Sequence, residues 1–277
     1  MSIWLYENVS RQPRHVWRNG AICVFCQSKL TLLHEENEDI SQIKTRGSQH
    51  ERIHACPVCG WWKAERVQDI DNFVHHFHYY TLHGAAASLR DLDLSDVSIP
   101  IKEVRSYLAA NYEKRGTVHP RLFEETVADV FRDHGYSAEV TAYSGDDGID
   151  VILSRGREKI GVQVKRYKND IEVEQIRSLA GALVLNGLTQ GLFVTTSGFQ
   201  SGGDRTTDQF RTRGYQIELY DAEKFYEALH IAQRNMYKSF DEFPIVDILR
   251  RLQIIEDCTQ ERYDLSFRDR LSGDFFV

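Results

Sequence analysis

The sequence predicts an α/β fold, an α+β arrangement in which helices flank one mixed β-sheet, preceded by a small cysteine-rich domain. Two observations carry this prediction. Between residues 119 and 220, apolar residues follow helix and strand periodicities in the order α-β-β-β-α-β-α-β. Ahead of that segment, four of the five cysteines fall into two C-x-x-C pairs. A chain of 277 residues is long enough to bury the cores of two such domains.

The α/β segment begins with a helix whose apolar face is easily defined. In RLFEETVADVFRDHGY, residues 121–136, one face carries Phe123, Val127, Val130 and Phe131. Strand-like and helical stretches alternate after it, with glycines between several of them. We predict strands at 137–144, 149–155, 158–167, 191–197 and 215–221, a tight turn at 145–148, and helices at 171–187 and 202–214.

Composition divides the chain into four segments. The boundaries follow shifts from cysteine- and histidine-rich sequence to a stretch of small residues, and then to regular periodicity. The segments are an N-terminal domain at 1–83, a linker with a connecting helix at 84–118, the α/β domain at 119–220, and a C-terminal extension at 221–277.

The C-terminal extension is predicted to be mostly helical. Its stretch EFPIVDILRRLQII carries Phe243, Val246, Leu249 and Ile254 near helical spacing. This amphipathic pattern fits a docking surface, and it fits packing onto the protein's own core equally well.

Composition and charge restrict the classes of function. No apolar run approaches the roughly 18 residues that span a bilayer, and the N-terminus lacks the pattern of a secretory signal. We therefore expect a cytoplasmic protein with no membrane partner. The net charge is −7, and none of the four segments is basic overall. Contact with DNA would need a local basic patch, or cations that neutralise clustered carboxylates.

The paired cysteines have the spacing of a metal site. They are Cys23-x-x-Cys26 and Cys56-x-x-Cys59. Such pairs in a cytoplasmic chain indicate metal rather than disulfides, and four thiolates suit tetrahedral Zn²⁺. We predict a zinc ribbon over residues 20–66. Because four cysteines leave no open ligand position, the zinc is expected to be structural and to be needed for folding.

Several histidines follow the zinc ribbon. Histidines beside aromatic residues are more often packed or surface residues than ligands. Packing is therefore the expected role, and a second metal site is the alternative. The residues concerned are His75, His76, His78 and His83.

A polar pair interrupts the third predicted strand of the α/β domain. Side chains alternate faces along a strand, so Gln163 and Lys165 share one face while Val162 and Val164 can enter the core. Asp150 heads the preceding strand, and a hairpin brings it close to that pair. Carboxylate and amide oxygens suit Mg²⁺ or Mn²⁺, and a lysine can orient a water and offset charge on a phosphate. Taken singly, each residue also fits a simpler role. Asp150 fits the cap of the turn, and Gln163 fits a hydrogen-bond partner for a backbone group at the sheet edge. Lys165 fits the start of a basic cluster in solvent.

The first helix adds a carboxylate to this group. At about 100° per residue, Glu124 lies roughly 75° from the centre of the apolar face, and Glu125 lies nearly opposite that face. We therefore expect Glu124 to reach the sheet edge and Glu125 to face solvent.

Five short motifs together resemble a known family. In chain order they are FEETVADVFRDHGY, SGDDGID, VQVKRYK, IRSLAGAL and GLFVTTSGF. This set, over about residues 119–213, resembles the catalytic domain of the Mrr restriction endonucleases, in the PD-(D/E)xK nuclease superfamily with glutamine in the final motif. The resemblance implies a restriction-endonuclease-like fold. It also implies a metal-dependent DNA phosphodiesterase that leaves a 5′-phosphate and a 3′-hydroxyl.

The resemblance also implies a role for each residue of the polar group. Asp150 is implied to bind Mg²⁺, and Gln163 to replace the usual acidic ligand. Lys165 is implied to position or activate the attacking water. Glu124 matches the helix glutamate that supports the site.

These observations predict a Mg²⁺- or Mn²⁺-dependent endodeoxyribonuclease with an N-terminal zinc ribbon, and the resemblance implies a role in prokaryotic defence against foreign DNA. The expected partner is DNA, with a protein partner or a homodimer for double-strand cleavage. The alternative is a non-cleaving protein that binds nucleic acid or assembles a defence complex, docking through the ribbon and the C-terminal segment. The joint presence of Asp150, Gln163 and Lys165 argues against that alternative.

Overall fold

The fold is taken from a computed structural model that divides into two compact units. One unit is Leu92–Met236, here called the α/β unit. The other combines Ser2–Asp91 with Tyr237–Val277 and is here called the antiparallel unit. The residues that the structure describes are 3–7, 17, 20–75, 77–141, 148–236 and 243–261.

Eleven strands and six α-helices are described in these ranges. No helix among them is both long and apolar enough to cross a membrane. The strands are β1 (Trp4–Glu7), β2 (Thr31–Asp39), β3 (Thr45–Ala55), β4 (Trp62–Asn72), β5 (Phe77–Leu89), β6 (Ser137–Val140), β7 (Val151–Arg155), β8 (Glu158–Lys165), β9 (Gln190–Thr195), β10 (Gln216–Tyr220) and β11 (Gln253–Glu261). The helices are α1 (Ile101–Ala110), α2 (Pro120–Asp133), α3 (Val173–Leu185), α4 (Gly203–Arg211), α5 (Ala222–Met236) and α6 (Ile245–Leu249), with a 3₁₀ helix at Tyr112–Thr117.

The α/β unit is built on a five-stranded mixed sheet, as predicted. Its strands lie in the order β10-β9-β8-β7-β6. The hairpin partners β6, β7 and β8 run antiparallel, whereas β8, β9 and β10 run parallel. The parallel pairs arise because α3 connects β8 to β9 and α4 connects β9 to β10, which returns the chain to the same end of the sheet.

Helices cover both faces of this sheet. The apolar face predicted for α2 is buried, and α2 contacts β6, β7 and β8. On the other face α3 lies very close to the strands. A Cβ atom on Gly161 of β8 or on Gly191 of β9 would approach Leu183 of α3 to 2.9 or 2.6 Å. Glycine at these two paired positions therefore allows α3 to rest on the sheet.

The antiparallel unit is larger than a small zinc ribbon. Its sheet has the order β1-β5-β4-β3-β2, and β11 also pairs with β5. Strand β5 pairs with β4 along one edge and with β1 and then β11 along the other. The cysteine segments occupy the connections of this sheet, one before β2 and one between β3 and β4.

The predicted boundary after residue 83 is wrong, because β5 continues to Leu89. The small residues that indicated a linker are packed in the sheet: Ala85, Ala86 and Ala87 are buried. A Cβ atom on Gly84 would collide with Ile255 of β11. Small side chains here allow close packing, and they do not mark a flexible connection.

The C-terminal extension is only partly helical. Helix α5 belongs to the α/β unit, α6 is restricted to Ile245–Leu249, and the following residues form β11. Ile254, expected on a helix, therefore lies in a strand. The correction has a physical reason, because pairing with β5 satisfies the backbone of this segment in a way that its local pattern does not reveal.

The apolar residues around α6 pack on the antiparallel unit's own sheet. Ile248 is buried with Ile53 and Ala64, and the ring of Phe243 contacts that of Trp62 with centroids 6.1 Å apart. Of the four residues named for this stretch, Phe243 and Leu249 pack on this core, whereas Val246 and Ile254 are exposed. The apolar end of the chain, residues 262–277, lies outside the described residues.

Candidate active site and metal centre

Asp150 lies where the ladder between β7 and β8 begins. Its N–H donates to the carbonyl oxygen of Val162 at 2.8 Å, and its Oδ2 accepts the N–H of Val164 at 2.7 Å. The carboxylate thus takes the place of a backbone carbonyl at the end of the ladder and is held against β8. Asp150 is only 8% exposed, so its negative charge requires nearby positive charge.

Gln163 lies beside Asp150 and presents an unsatisfied oxygen. Its Nε2 donates to the carbonyl oxygen of Gly148 at 3.1 Å, which directs Oε1 the other way. Gly148 has a φ of 85°, in the left-handed region that favours glycine. Oε1 is buried and has no hydrogen-bond partner among the described residues. A buried acceptor of this kind is costly, and a cation would satisfy it.

The variant Gln163→Met tests how much the unsatisfied Oε1 destabilises the folded protein. We expect the variant to unfold in EDTA at the same temperature as the unaltered protein or at a higher one. Methionine fills a similar volume, and the loss of an unpartnered acceptor, which costs about 1–3 kcal/mol, offsets the loss of the Nε2 bond, worth about 1 kcal/mol. Thermal unfolding followed by circular dichroism measures the effect. Gln163→Glu is the control, because it adds a charge beside Asp150 and is expected to be less stable in EDTA. A large loss of stability in Gln163→Met would contradict an unsatisfied Oε1.

Lys165 ends β8 on the same face as Gln163. It is partly buried and pairs in register with Thr195 of β9. Gly161 lies on the same face of β8, at the point where α3 is in closest contact with the sheet. Gln163 and Lys165 follow Gly161 on this face, directly after that contact. The ammonium group therefore lies at the edge of the covered sheet rather than within the core.

Glu124 joins the group from α2. Burial raises the pKa of the Glu124 carboxyl, the charge of Asp150 raises it further, and the charges of Arg121 and Lys165 lower it. Arg121 Nη1 is 3.3 Å from Glu124 Oε2, and the charges of Asp150 and Lys165 act on the same carboxyl. The Glu124 side chain is 20% exposed and that of Glu125 is 37% exposed, in the order expected from the helical angle. The structure thus brings together Glu124, Asp150, Gln163 and Lys165.

Comparison with known families finds a match over the segment that carries these residues. Residues 116–229 match the family model Mrr_cat, described as a restriction endonuclease. This segment is similar to an Mrr restriction endonuclease domain and is called the Mrr-type domain below. The match includes all four site residues and the first part of α5, and it leaves the antiparallel unit outside.

Individual relatives cover only part of this chain. The Mrr-type domain is similar to the type IV methyl-directed restriction enzyme EcoKMrr of Escherichia coli strain K12, with 36% identity over 110 residues, 36% of each protein. A solved structure of the MspJI restriction endonuclease in complex with a 27-mer oligonucleotide covers 51% of this chain at 18% identity, with a TM-score of 0.31. This chain spans about a third of the length of both relatives.

Two residues of the Mrr-type domain were missed by sequence analysis. Arg121 donates to Glu124 Oε2 at 3.3 Å and to the carbonyl oxygen of Thr141 at 2.8 Å. Thr141 in turn bonds to the backbone of Asp150. The spacing of three residues between Arg121 and Glu124 was a usable signal for the first contact. No local pattern signals the second, because Thr141 lies on another element.

The four paired cysteines form one buried cluster in the antiparallel unit. Their sulfur atoms all lie within 4.8 Å of one another. Cys23 Sγ is 3.6 Å from Cys59 Sγ, and Cys26 Sγ is 3.4 Å from Cys56 Sγ. All four cysteines are buried, so four thiolates at this position require a cation.

The two cysteine segments have the same backbone conformation. Gln27 N–H donates to the carbonyl of Cys23 at 3.1 Å, and Gly60 N–H donates to that of Cys56 at 3.0 Å. Gln27 and Gly60 both have positive φ, 58° and 81°. The N–H groups of Val58 and Cys59 also point to Cys56 Sγ, at 3.4 and 3.5 Å. Two matched turns that present four sulfur atoms fit tetrahedral Zn²⁺.

The histidines after the cysteine segments do not form a metal cluster in the described part of the chain. His78 contacts Asp71 and Asp69, and His75 is exposed. His83 lies in β5, and His76 lies outside the described residues.

A separate cluster joins His34, Glu36 and Glu51 on β2 and β3. Glu51 is also paired with Arg66. The chain therefore balances this buried carboxylate itself, and we assign the cluster as an ion-pair network.

Proposed function

We propose that this protein is a cytoplasmic, divalent-metal-dependent endodeoxyribonuclease that acts in prokaryotic defence against foreign DNA. The single observation that carries the proposal is the unsatisfied Gln163 Oε1 beside the carboxylate of Asp150. Two hard oxygen donors, one at the start of β7 and one near the end of the central strand β8, suit Mg²⁺ or Mn²⁺, and Lys165 and Glu124 complete the group. The Mrr-type domain and its similarity to a restriction enzyme support DNA as the substrate.

Each residue then has a defined task. Asp150 and Gln163 hold the cation, and the bound cation would supply positive charge to the phosphate that is attacked. Lys165 orients the water that forms the new P–O bond and offsets negative charge on the phosphate. Glu124 adds negative charge that helps to hold the cation. The P–O3′ bond breaks, which leaves a 5′-phosphate and a 3′-hydroxyl.

Cleavage of supercoiled plasmid by the purified protein tests this proposal. We expect nicked or linear plasmid with Mg²⁺ or Mn²⁺ and none with EDTA. Methylated and unmethylated plasmids are compared, because EcoKMrr is named as a methyl-directed enzyme. The products should be joined by DNA ligase, which needs a 5′-phosphate and a 3′-hydroxyl. If linear product forms without a nicked intermediate, the active species is proposed to be a homodimer or to include a second subunit.

Lys165→Ala is the informative variant in this assay. We expect it to reduce cleavage by about 100-fold or more, since it removes the positive charge beside the reacting phosphate. Lys159→Ala is the matched control, because Lys159 lies on the same face of β8 but is exposed at the opposite end of the strand. Equal activity of the two variants would show that cleavage comes from another site or from a contaminant. No cleavage of either plasmid by any form would favour the alternative, a non-cleaving binding or assembly protein.

We further propose that Cys23, Cys26, Cys56 and Cys59 hold a structural Zn²⁺. The matched turns and the distances between the sulfur atoms support this proposal. With four cysteines and no open position, the ion would stabilise the antiparallel unit and would take no part in cleavage. This unit is then available to contact DNA or a partner.

A further inference from the structure

Arg121 lies in the first turn of α2 and contacts two elements. Its Nη1 is 3.3 Å from Glu124 Oε2 and 2.8 Å from the carbonyl oxygen of Thr141. Its Nε donates to Glu125 Oε1 at 3.2 Å. The guanidinium is partly buried, with 24% of its side chain exposed. One side chain thus connects the helix glutamate to the chain that follows β6.

Thr141 carries this connection on to Asp150. Its N–H donates to the carbonyl oxygen of Asp150 at 3.0 Å, and its hydroxyl donates to that of Ile149 at 2.7 Å. Thr141 therefore ties the end of the β6 segment to the start of the β7 segment. A continuous path of hydrogen bonds runs from the Glu124 carboxylate through Arg121 and Thr141 to the backbone of Asp150.

We propose that Arg121 is a positioning residue that fixes Glu124 relative to Asp150 across the two elements that carry them. This inference rests on the proposed function, because it assigns Glu124 and Asp150 to one active site. Two carboxylates that share a partly buried site repel each other. Without the Arg121 guanidinium beside it, Glu124 would turn away from Asp150 towards solvent.

Arg121 makes its contacts from two nitrogen atoms, since Nη1 serves Glu124 and Thr141 and Nε serves Glu125. The planar guanidinium offers several N–H donors in fixed directions, so it can serve the Glu124 carboxylate and the Thr141 carbonyl at the same time. A lysine at position 121 would supply the charge and three N–H donors, but from one nitrogen on a flexible stem instead of from a planar guanidinium. We therefore expect Arg121→Lys, which keeps the charge but lacks the planar guanidinium, to recover part of the function and not all of it.

Arg132 provides a matched control on the same pair of elements. Its Nη1 is 3.3 Å from Asp129 Oδ1 within α2, and its Nη2 donates to the carbonyl oxygen of Ala138 in β6 at 2.8 Å. Arg132 therefore makes the same kind of link between helix and strand as Arg121, but at the opposite end of α2. Its loss reports the structural cost of removing such a link.

The experiment compares the unaltered protein with Arg121→Ala, Arg121→Lys and Arg132→Ala. The measurements are thermal unfolding in EDTA, Mn²⁺ affinity from the electron paramagnetic resonance signal of free Mn²⁺, and kcat and KM for plasmid cleavage. We expect Arg121→Ala to weaken Mn²⁺ binding and to lower kcat, each by about 10- to 100-fold, with KM for DNA little changed. Arg121→Lys should recover part of this loss. Arg132→Ala should lower the melting temperature to a similar extent as Arg121→Ala and leave Mn²⁺ affinity and kcat unchanged.

The outcomes separate this inference from the proposed function. If Arg121→Ala and Arg132→Ala lose the same amount of activity and Mn²⁺ affinity, Arg121 is merely structural and the inference is overturned. If the unaltered protein cleaves DNA and Arg121→Ala matches it, the inference fails while the proposed function stands. If the unaltered protein binds Mn²⁺ without cleaving, the Mn²⁺ affinities alone decide the role of Arg121. A protein that neither binds Mn²⁺ nor cleaves DNA overturns both.

Discussion

Asp150→Asn is expected to lower the rate of plasmid cleavage by about 1,000-fold or more while the α/β unit stays folded. The amide oxygen of asparagine can still accept the N–H of Val164, now 2.7 Å from Asp150 Oδ2, so the end of the ladder is preserved. What is lost is the negative charge that holds the cation beside the neutral Gln163 amide. At about 1.4 kcal/mol for each factor of ten, this loss corresponds to roughly 4 kcal/mol of transition-state stabilisation.

The folding stability of Asp150→Asn should not fall with its activity. Asp150 is buried, and its charge is one of the causes that raise the pKa of Glu124. Removal of that charge relieves repulsion between the two carboxylates. In EDTA the melting temperature of Asp150→Asn is therefore expected to equal or exceed that of the unaltered protein. A gain in stability with a loss of activity is characteristic of active-site charges.

Single-turnover cleavage in Mn²⁺, combined with thermal unfolding, measures both effects of Asp150→Asn. Asp208→Asn is the control, because Asp208 is an exposed carboxylate on α4 that forms a surface ion pair with Arg211 at 3.0 Å. That variant should cleave at the normal rate. If Asp150→Asn cleaves within about tenfold of the unaltered protein, the Asp150 carboxylate does not hold the catalytic cation.

The sequence predicted best those relations between residues that depend only on their spacing along a single helix or strand. Gln163 and Lys165 share a face because β8 alternates, and Glu124 is turned towards the sheet because of its angle on α2. The mixed sheet was predictable for a similar reason. Each helix that connects two parallel strands shows its own helical periodicity in the sequence. The roles of these residues stay predictions until they are tested.

Contacts between distant elements could not be predicted in this way. The path from Arg121 to Thr141 joins a helix to a strand end, and the carboxylate of Asp150 replaces a backbone carbonyl on β8. Neither contact follows from local propensity. The boundary at residue 83 failed for a related reason, because Gly84 and the alanines after it have the composition of a linker. Only the position of β11 against β5 shows that small residues are needed there.

Cys56→Ser is expected to abolish zinc binding and to lower the melting temperature of the antiparallel unit by more than about 10 °C. Cys56 follows β3, and the turn from Cys56 to Trp61 leads directly into β4. Cys56, Val58, Cys59 and Trp61 are almost fully buried. Loss of the ion would leave the other three buried thiolates without a counter-charge, so they would take up protons, and it would release the turn that sets the register of β3 on β4.

Cys258→Ser is the matched control for the zinc prediction. Cys258 is the fifth cysteine of the chain, lies in β11 of the same unit and takes no part in the four-sulfur cluster. Atomic absorption should find one zinc per chain in the unaltered protein and in Cys258→Ser, and none in Cys56→Ser. If the antiparallel unit serves only to recognise DNA or a partner, the Mrr-type domain of Cys56→Ser should still cleave plasmid. A zinc-free protein whose unfolding does not respond to added zinc would contradict the assignment, and the paired strands around the cluster would then have to stabilise this unit without a metal.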